Sequence, residues 1–330
     1  MGTSNTTSGR GGRGRAILRR AGRVGKVSIV GLFAVLVLNG AAAKPKAKKG
    51  GAWFNARNFV AFPLADDAAL PTDPAALTRS ITRGWKRSPL NLANAPADPI
   101  VLAGRFPSLD AMRVDLSNVE FDSKRKSAKV ADKAKTLRTL GVADLQLSAS
   151  PVRVGPSRLS FGVAASDATF AVKRDRAGKP LMTMTDARAG RVEFAMTKAD
   201  VERLLLHSAR ENAAKLGFNV TDVKLAISAD SDREARGELD VRTKFAFIGA
   251  NLHFTGRVTI ADDMTARVTD LTCEGDDVLG PVVVGLLRPA LAKVNNQTKP
   301  VVAFPSTKLK LTDVRLSVDD TIRVTAAFGR

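Results

Sequence analysis

The chain has 330 residues, 44% hydrophobic and 25% charged, with one cysteine, two histidines and no tyrosine. That length allows one large domain or two small ones, and the lone Cys273 excludes an internal disulfide and a cysteine-rich zinc centre. The formal net charge is +20, but eleven of the basic residues and none of the acids lie in the first 50 positions, so the charge describes the N-terminus more than a nucleic-acid surface.

Residues 10–26 are rich in Arg and Gly. Val27 to Leu38 (VSIVGLFAVLVL) is then an apolar or small run of twelve, followed by Asn39-Gly40 and Ala41-Ala42-Ala43. A basic region, a short apolar core and an A-x-A site predict a signal peptide over residues 1–43. The run falls short of the ~20 apolar residues of a membrane-spanning helix. The alternative is an uncleaved anchor in the inner membrane over residues 27–43, with Lys44–Lys49 just outside it. Either way the chain is expected to be exported, to the periplasm or cell envelope.

Residues 44–110 are rich in Ala, Pro, Asp and Asn and poor in periodic apolar residues, so they are expected to form a linker with one short helix. Thr72-Asp73-Pro74 is a helix-start signal, a capping side chain followed by an early proline. Leu77, Ile81 and Trp85 then share a face, with Arg79, Arg83, Lys86 and Arg87 off it. Such a basic amphipathic helix either packs on the main domain through its stripe or lies in an anionic membrane interface.

From residue 111 the pattern becomes that of a β-rich module, residues 111–330. Alternating runs such as Val223, Leu225, Ile227 and Leu239, Val241 mark half-buried antiparallel strands. Clusters such as Asp230-Ser231-Asp232-Arg233 and Asp319-Asp320 supply the turns between them. A helix is predicted from about Thr197, its cap, to Leu216, with Gly217 as its stop. A second is predicted from Asp277 to Asn295 (DVLGPVVVGLLRPALAKVN), apolar nearly all round, with Pro289 inside it. A helix without a polar face has to be enclosed, and a long curved sheet wrapped around it would do so. Val220-Thr221-Asp222-Val223, Val268-Thr269-Asp270-Leu271 and Leu311-Thr312-Asp313-Val314 share a weak echo, expected to mark related hairpins of one sheet.

This order of elements is similar to that of the LmeA-like phospholipid-binding family, in the tubular lipid-binding group of folds. The resemblance is carried by RVEFAMTKADVERLL (Arg191–Leu205), a strand running into a capped helix, and by LKLTDVRLSVDDTIRVTA (Leu309–Ala326), a closing hairpin. It implies an α+β fold, a long curved antiparallel sheet (a half-barrel) wrapped around one or two helices, after the export signal and linker. It also implies an apolar groove for acyl chains, with phospholipid or another acyl lipid as partner. The chain departs from that pattern in the basic insert Lys124–Arg138 and in GDDVLGP before the second helix.

The expected function is therefore non-enzymatic binding or transfer of lipid in the bacterial cell envelope. The groove candidates are Val283, Leu286, Leu287 and Leu291 of the apolar helix with Phe245, Phe247 and Phe254 of facing strands. Filled-core packing of the same residues is the alternative, and would make the protein a structural or adaptor component of the envelope with no lipid ligand. Lys124, Arg125, Lys126, Lys129 and Lys133 form the basic cluster that would meet headgroups or an anionic membrane surface; as a solvated face it would meet neither. The cluster lacks interleaved aromatics, so nucleic acid is not expected. Catalysis and cofactors are not expected either. His207 and His253 lie in no recognisable motif and G-x-S-x-G is absent. Glu274, Asp276 and Asp277 have the oxygen chemistry of a Ca²⁺ site, but helix capping explains them more simply, so no metal is expected.

Cleavage after residue 43 would leave Lys44 as the mature N-terminus. The intact mass of protein from an envelope fraction should correspond to residues 44–330; recovery of the full-length chain from the cytosol would end the export reading.

Overall fold

The computed structural model describes residues 54–330 apart from 57, 58, 68, 123, 124, 126, 132, 133, 215–217, 246, 247, 278 and 279. The leader expected over residues 1–43 therefore lies outside the described residues. In chain order these residues form β1 (Phe54–Asn55), β2 (Ala61–Pro63), α1 (Pro74–Gly84) with a 3₁₀ turn at Trp85–Arg87, β3 (Leu90–Asn91), β4 (Ile100–Arg105), β5 (Ser108–Asp115) and β6 (Glu120–Phe121). The long strands β7 (Arg138–Val154) and β8 (Ser157–Arg174) follow, then β9 (Pro180–Asp186), β10 (Ala189–Thr197), α2 (Lys198–Ala213), β11 (Phe218–Ser231), β12 (Glu234–Phe245), β13 (Ile248–Ile260) and β14 (Thr265–Asp276). The last elements are α3 (Gly280–Val294), β15 (Thr298–Pro300), β16 (Val302–Ala303), β17 (Lys310–Val318) and β18 (Thr321–Gly329).

The fold is sheet-rich α+β, as expected, but its strands divide between two main sheets and are not all antiparallel. The larger sheet has the order β17-β18-β10-β8-β7-β5-β4. Strand β8 is long enough to pair with β10 along its first half and with β9 along its second. The second sheet is the meander β11-β12-β13-β14-β15. The large sheet does not close on itself. It is mixed because β5 and β7 run parallel. A parallel return needs a long crossover, and the stretch between Asp115 and Arg138, which contains the basic insert, is that crossover.

The expectation of a linker over residues 44–110 is corrected at its described residues. Strands β4 and β5 form one flank of the large sheet, and β2 extends it beside β9. Asp73 caps α1 by accepting the Ala76 N–H at 2.8 Å. Leu77, Ile81 and Trp85 are all buried, so the stripe packs on the domain and is not available to a membrane. Gly84 brings the helix so near β2 that a Cβ would lie 2.0 Å from the Pro63 carbonyl oxygen. Beyond it, Arg87 donates to Asp175 at 2.9 Å and to the Leu64 and Pro180 carbonyls, pinning this segment to the β8–β9 hairpin. The linker reading failed because the run Ile100-Val101-Leu102-Ala103 of β4 does not alternate and the Ala, Pro, Asp and Asn residues between the elements read as loop.

The three T-D echoes all fall at irregularities of pairing. The register of β11 shifts between Val220 and Asp222, and that of β17 between Leu311 and Asp313. That of β13 and β14 shifts beside Asp270, whose φ is 53°. The repeat therefore marks β-bulges, which add twist to a strand. They lie in two sheets, not in the hairpins of one.

Helix α2 begins at the expected cap. The Thr197 hydroxyl accepts the Asp200 N–H at 3.1 Å and donates to the Asp200 carboxylate at 2.7 Å. Asp200 also accepts from the Arg158 N–H at 2.8 Å and from Arg203 at 2.6 Å, while its carbonyl accepts the Ser157 hydroxyl at 2.6 Å. Helix and β7–β8 turn are thereby tied. Further along, Glu202 accepts the Leu225 N–H, and Arg210 donates to the Val220 and Thr221 carbonyls, so α2 satisfies part of the edge of β11.

Burial alone would raise the Asp200 pKa, but the donors from Arg203, Thr197 and Arg158 outweigh it and hold the carboxylate below its ordinary value. A depressed folded-state pKa contributes stability above the unfolded value that is lost as pH falls through the folded one. Asp200→Ala should cost about 1–2 kcal/mol at neutral pH, from loss of the carboxylate's bonds to the Arg158 N–H, the Thr197 hydroxyl and Arg203. The advantage of wild type over Asp200→Asn in thermal melts should shrink on acidification below about pH 4. A pH-independent difference would show that the charge contributes nothing.

Candidate functional site

Helix α3 runs back along β14 and covers part of the second sheet. Gly280 lies against Gly275, where a Cβ on either residue would meet the other's backbone within 3 Å. At its far end the Leu271 N–H faces Asn295 and the Val268 carbonyl accepts the Asn296 N–H. The pair of glycines lets the chain turn tightly enough to lay the helix directly on the strand it follows.

The expectation that α3 is enclosed is overturned. Val283, Leu287, Ala290, Leu291 and Val294 face the sheet and are buried. Val282 and Leu286 are 58% and 62% exposed. At 100° per residue Val282, Leu286, Pro289 and Lys293 share one stripe, and all four are exposed. Only one layer packs on the helix, so an apolar sequence all round leaves an apolar face outside. Leu286 is corrected accordingly: it does not line an interior groove with Val283, Leu287 and Leu291 but projects away from them. Phe254 is completely buried on β13. The Phe245 side chain and Phe247 lie outside the described residues.

Sequence reasoning missed Val282 and Ile248 as candidates. Ile248 opens β13 on the same strand face as Ala250 and Leu252, which are buried, yet it is 49% exposed. It pairs with Phe245 at the end of the β12–β13 hairpin, three residues beyond the pairing of Asn251 with Asp276 that leads into α3. The signal was present in the spacing of Val282, Leu286 and Pro289, which a search for an enclosed helix passes over. Beside this stripe Arg288 and Lys293 of α3 are exposed cations. Asp276 and Asp277 stand before the helix, and Asp277 accepts from the Asn251 side chain at 3.1 Å.

Of the basic cluster, Lys124, Lys126 and Lys133 lie outside the described residues. Arg125 is exposed and ion-paired with Asp122 at 3.4 Å, and Lys129 is exposed in the same crossover. Arg125 and Lys129 thus lie in the crossover of the large sheet, whereas α3 packs on the second.

The remaining reactive groups are dispersed. The Cys273 thiol is pushed up to about 12 by burial and then by the neighbouring Glu274 carboxylate, so it stays protonated. His207 stands 3.6 Å from Glu211 on the exposed side of α2. His253 Nδ1 lies 2.7 Å from Asp240 across the β12–β13 pair. Among the described residues no three His, Cys, Asp or Glu side chains are grouped to hold a metal ion, and no helix is long and apolar enough to cross a membrane. Comparison of the chain with family models, with curated proteins and with solved structures finds no match.

The hydrogen bond that the ring Nδ1 donates to Asp240 raises the His253 pKa above the ordinary 6.5, against some desolvation and with help from the Asp240, Glu238 and Glu274 charges. A raised value means a contribution fully present below the unfolded pKa and lost as pH rises through the folded one. In an NMR titration the His253 ring should titrate above an ordinary imidazole, and Asp240→Asn should bring it down. An unchanged midpoint in that variant would show that the pair is not formed in solution.

Proposed function

We propose that the protein binds or transfers phospholipid without catalysis, docking at an anionic membrane surface through α3. The observation that carries this reading is the solvent-facing stripe of Val282 and Leu286 with cations beside it. Apolar side chains rimmed by Lys and Arg suit the boundary between acyl chains and headgroups, where the first lose water and the second meet phosphate. The seam between α3 and the second sheet, lined by Val283, Leu287, Leu291 and Phe254, is the place where an acyl chain would lodge if the helix lifts. Curvature of the large sheet as a half-barrel, and residence in the cell envelope after export, belong to the same proposal.

A second reading has its own support. Val283, Leu287, Leu291 and Phe254 are between 0% and 8% exposed, so the seam is filled as it stands. If it never opens, the protein is an envelope adaptor and the exposed stripe is a protein-binding face.

The placement of two adjacent leucines separates these readings. Leu286→Asn should reduce cosedimentation with phosphatidylglycerol vesicles while leaving the melting temperature near wild type, because the side chain is already in water. Leu287→Asn buries an amide and leaves a cavity, costing about 2–4 kcal/mol in a thermal melt. Vesicle binding untouched by Leu286→Asn, with no lipid recovered from purified wild-type protein by mass spectrometry, would discard the lipid reading in favour of the adaptor.

A further inference from the structure

The solvent face of the large sheet carries a trough of about 460 Å³, well away from α3 in the topology. Its floor is built from two rows of side chains that cross the strands. One row is Arg113 on β5, Gln146 on β7, Ala164 on β8 and Arg191 on β10. The other, two residues along each strand, is Asp115, Ser148, Gly162 and Glu193. Small residues occupy the middle and charged residues the walls.

The charges are not evenly satisfied. Glu193 is held by Arg191 at 3.6 Å and by Arg323 at 3.3 Å, so that wall carries an excess of positive charge. Arg113 has no ion-pair partner among the described residues and lies three strand spacings, roughly 14 Å of backbone, from Arg191. Two arginine side chains leaning inward over Ala164 and Gln146 can meet one anion between them. Asp115 and Asp98 make the opposite pole. Among the described residues the Asp115 carboxylate accepts the Ser117 N–H, through one oxygen, and its backbone N–H is bound to the Pro99 carbonyl beside Asp98. The two poles are about 7 Å apart along β5, the advance of two residues in a strand.

The floor is open without a packing reason. A Cβ at Gly162 would come no nearer than 3.8 Å to another atom, the Leu147 carbonyl oxygen. A strand-interior glycine weakens a sheet relative to alanine, and its use where a side chain would fit is typical of a place where something approaches the backbone.

We propose that this trough binds a small zwitterion, its phosphate or carboxylate between Arg113 and Arg191 and its ammonium against Asp98 and Asp115. The site is independent of the membrane reading of α3. The same chemistry is offered by an ethanolamine phosphodiester, as in a lipid headgroup, and by the two termini of a dipeptide.

The test is calorimetric titration of the full chain with glycerophosphoethanolamine, with Ala-Ala and with glycerol phosphate. At least one zwitterion should bind more tightly than glycerol phosphate, and which one binds identifies the source. Arg113→Gln should weaken that binding about tenfold, the worth of one charge-assisted hydrogen bond. Gly162→Val should abolish it with an unchanged or higher melting temperature, because valine fills the floor and suits a strand. Failure of both zwitterions to bind, or binding indifferent to Gly162→Val and Arg113→Gln, overturns the site. Glycerol phosphate binding as tightly as its ethanolamine ester overturns the role given to Asp98 and Asp115.

Discussion

The Asp200 carboxylate takes hydrogen bonds from the Thr197 hydroxyl, the Arg158 N–H and the Arg203 guanidinium, and this knot sets where the large sheet hands over to α2. Strand β10 ends there, the β7–β8 turn is held there, and the direction of the helix follows from its cap. That direction lays Glu202 and Arg210 along β11, whose edge would otherwise expose unpaired backbone. The second sheet is therefore positioned through α2 at one end. At the other it is joined to β17 by the Leu316 N–H on the Asp232 carbonyl and by the ion pair of Arg233 with Asp313. Such a buried carboxylate is stable only because its acceptors are nearly all used.

With both sheets open, each offers faces that a closed barrel would hide. The large sheet keeps its apolar side inward, with Leu145, Leu147, Phe161, Val163, Val192 and Phe194 buried in register across three strands. Its outward side is polar, and β7 carries a bulge at Ser150-Pro151, two residues beyond Ser148 of the trough. The second sheet is covered on one side by α3, a helix too apolar for a single packing partner. These two consequences are unlike in chemistry. One is a charged depression with a bare floor, the other an apolar ridge.

The sequence made α2 legible because its start is written in local chemistry. Thr197 and Asp200 cap the helix whatever the rest of the chain does, and the observed first turn follows them. The strands β11 to β14 were legible because one side of each faces a core and the alternation is clean. Strand β4 was not, because its opening run Ile100-Val101-Leu102-Ala103 does not alternate, and the parallel pairing of β5 with β7 follows from a crossover that no local signal announces. The apolar stripe was seen and misassigned: hydrophobicity says that a helix can be buried, not how many layers exist to bury it. The trough was invisible at sequence level, since Arg113, Gln146, Ala164 and Arg191 become neighbours only through the register of four strands. Even so, Gly162 within an otherwise alternating strand was a signal that packing did not require.

Magnitudes limit what the α3 stripe can be asked to do. Val282 and Leu286 are each already partly covered, so completing their burial contributes about 1–2 kcal/mol apiece. That is less than the roughly 4 kcal/mol of a millimolar complex, so the stripe alone holds no partner for long. Exposed cations near an anionic surface add about 1 kcal/mol each, and Arg288 and Lys293 of α3 are placed to add it. Attachment of this strength falls between millimolar and micromolar, reverses readily and weakens with salt, since exposed charges are screened over about 8–10 Å. A protein that visits a bilayer to exchange a lipid needs contact of that kind. A structural component held permanently in place would need a wider apolar face than these residues provide, unless a partner protein supplied further contacts along α3.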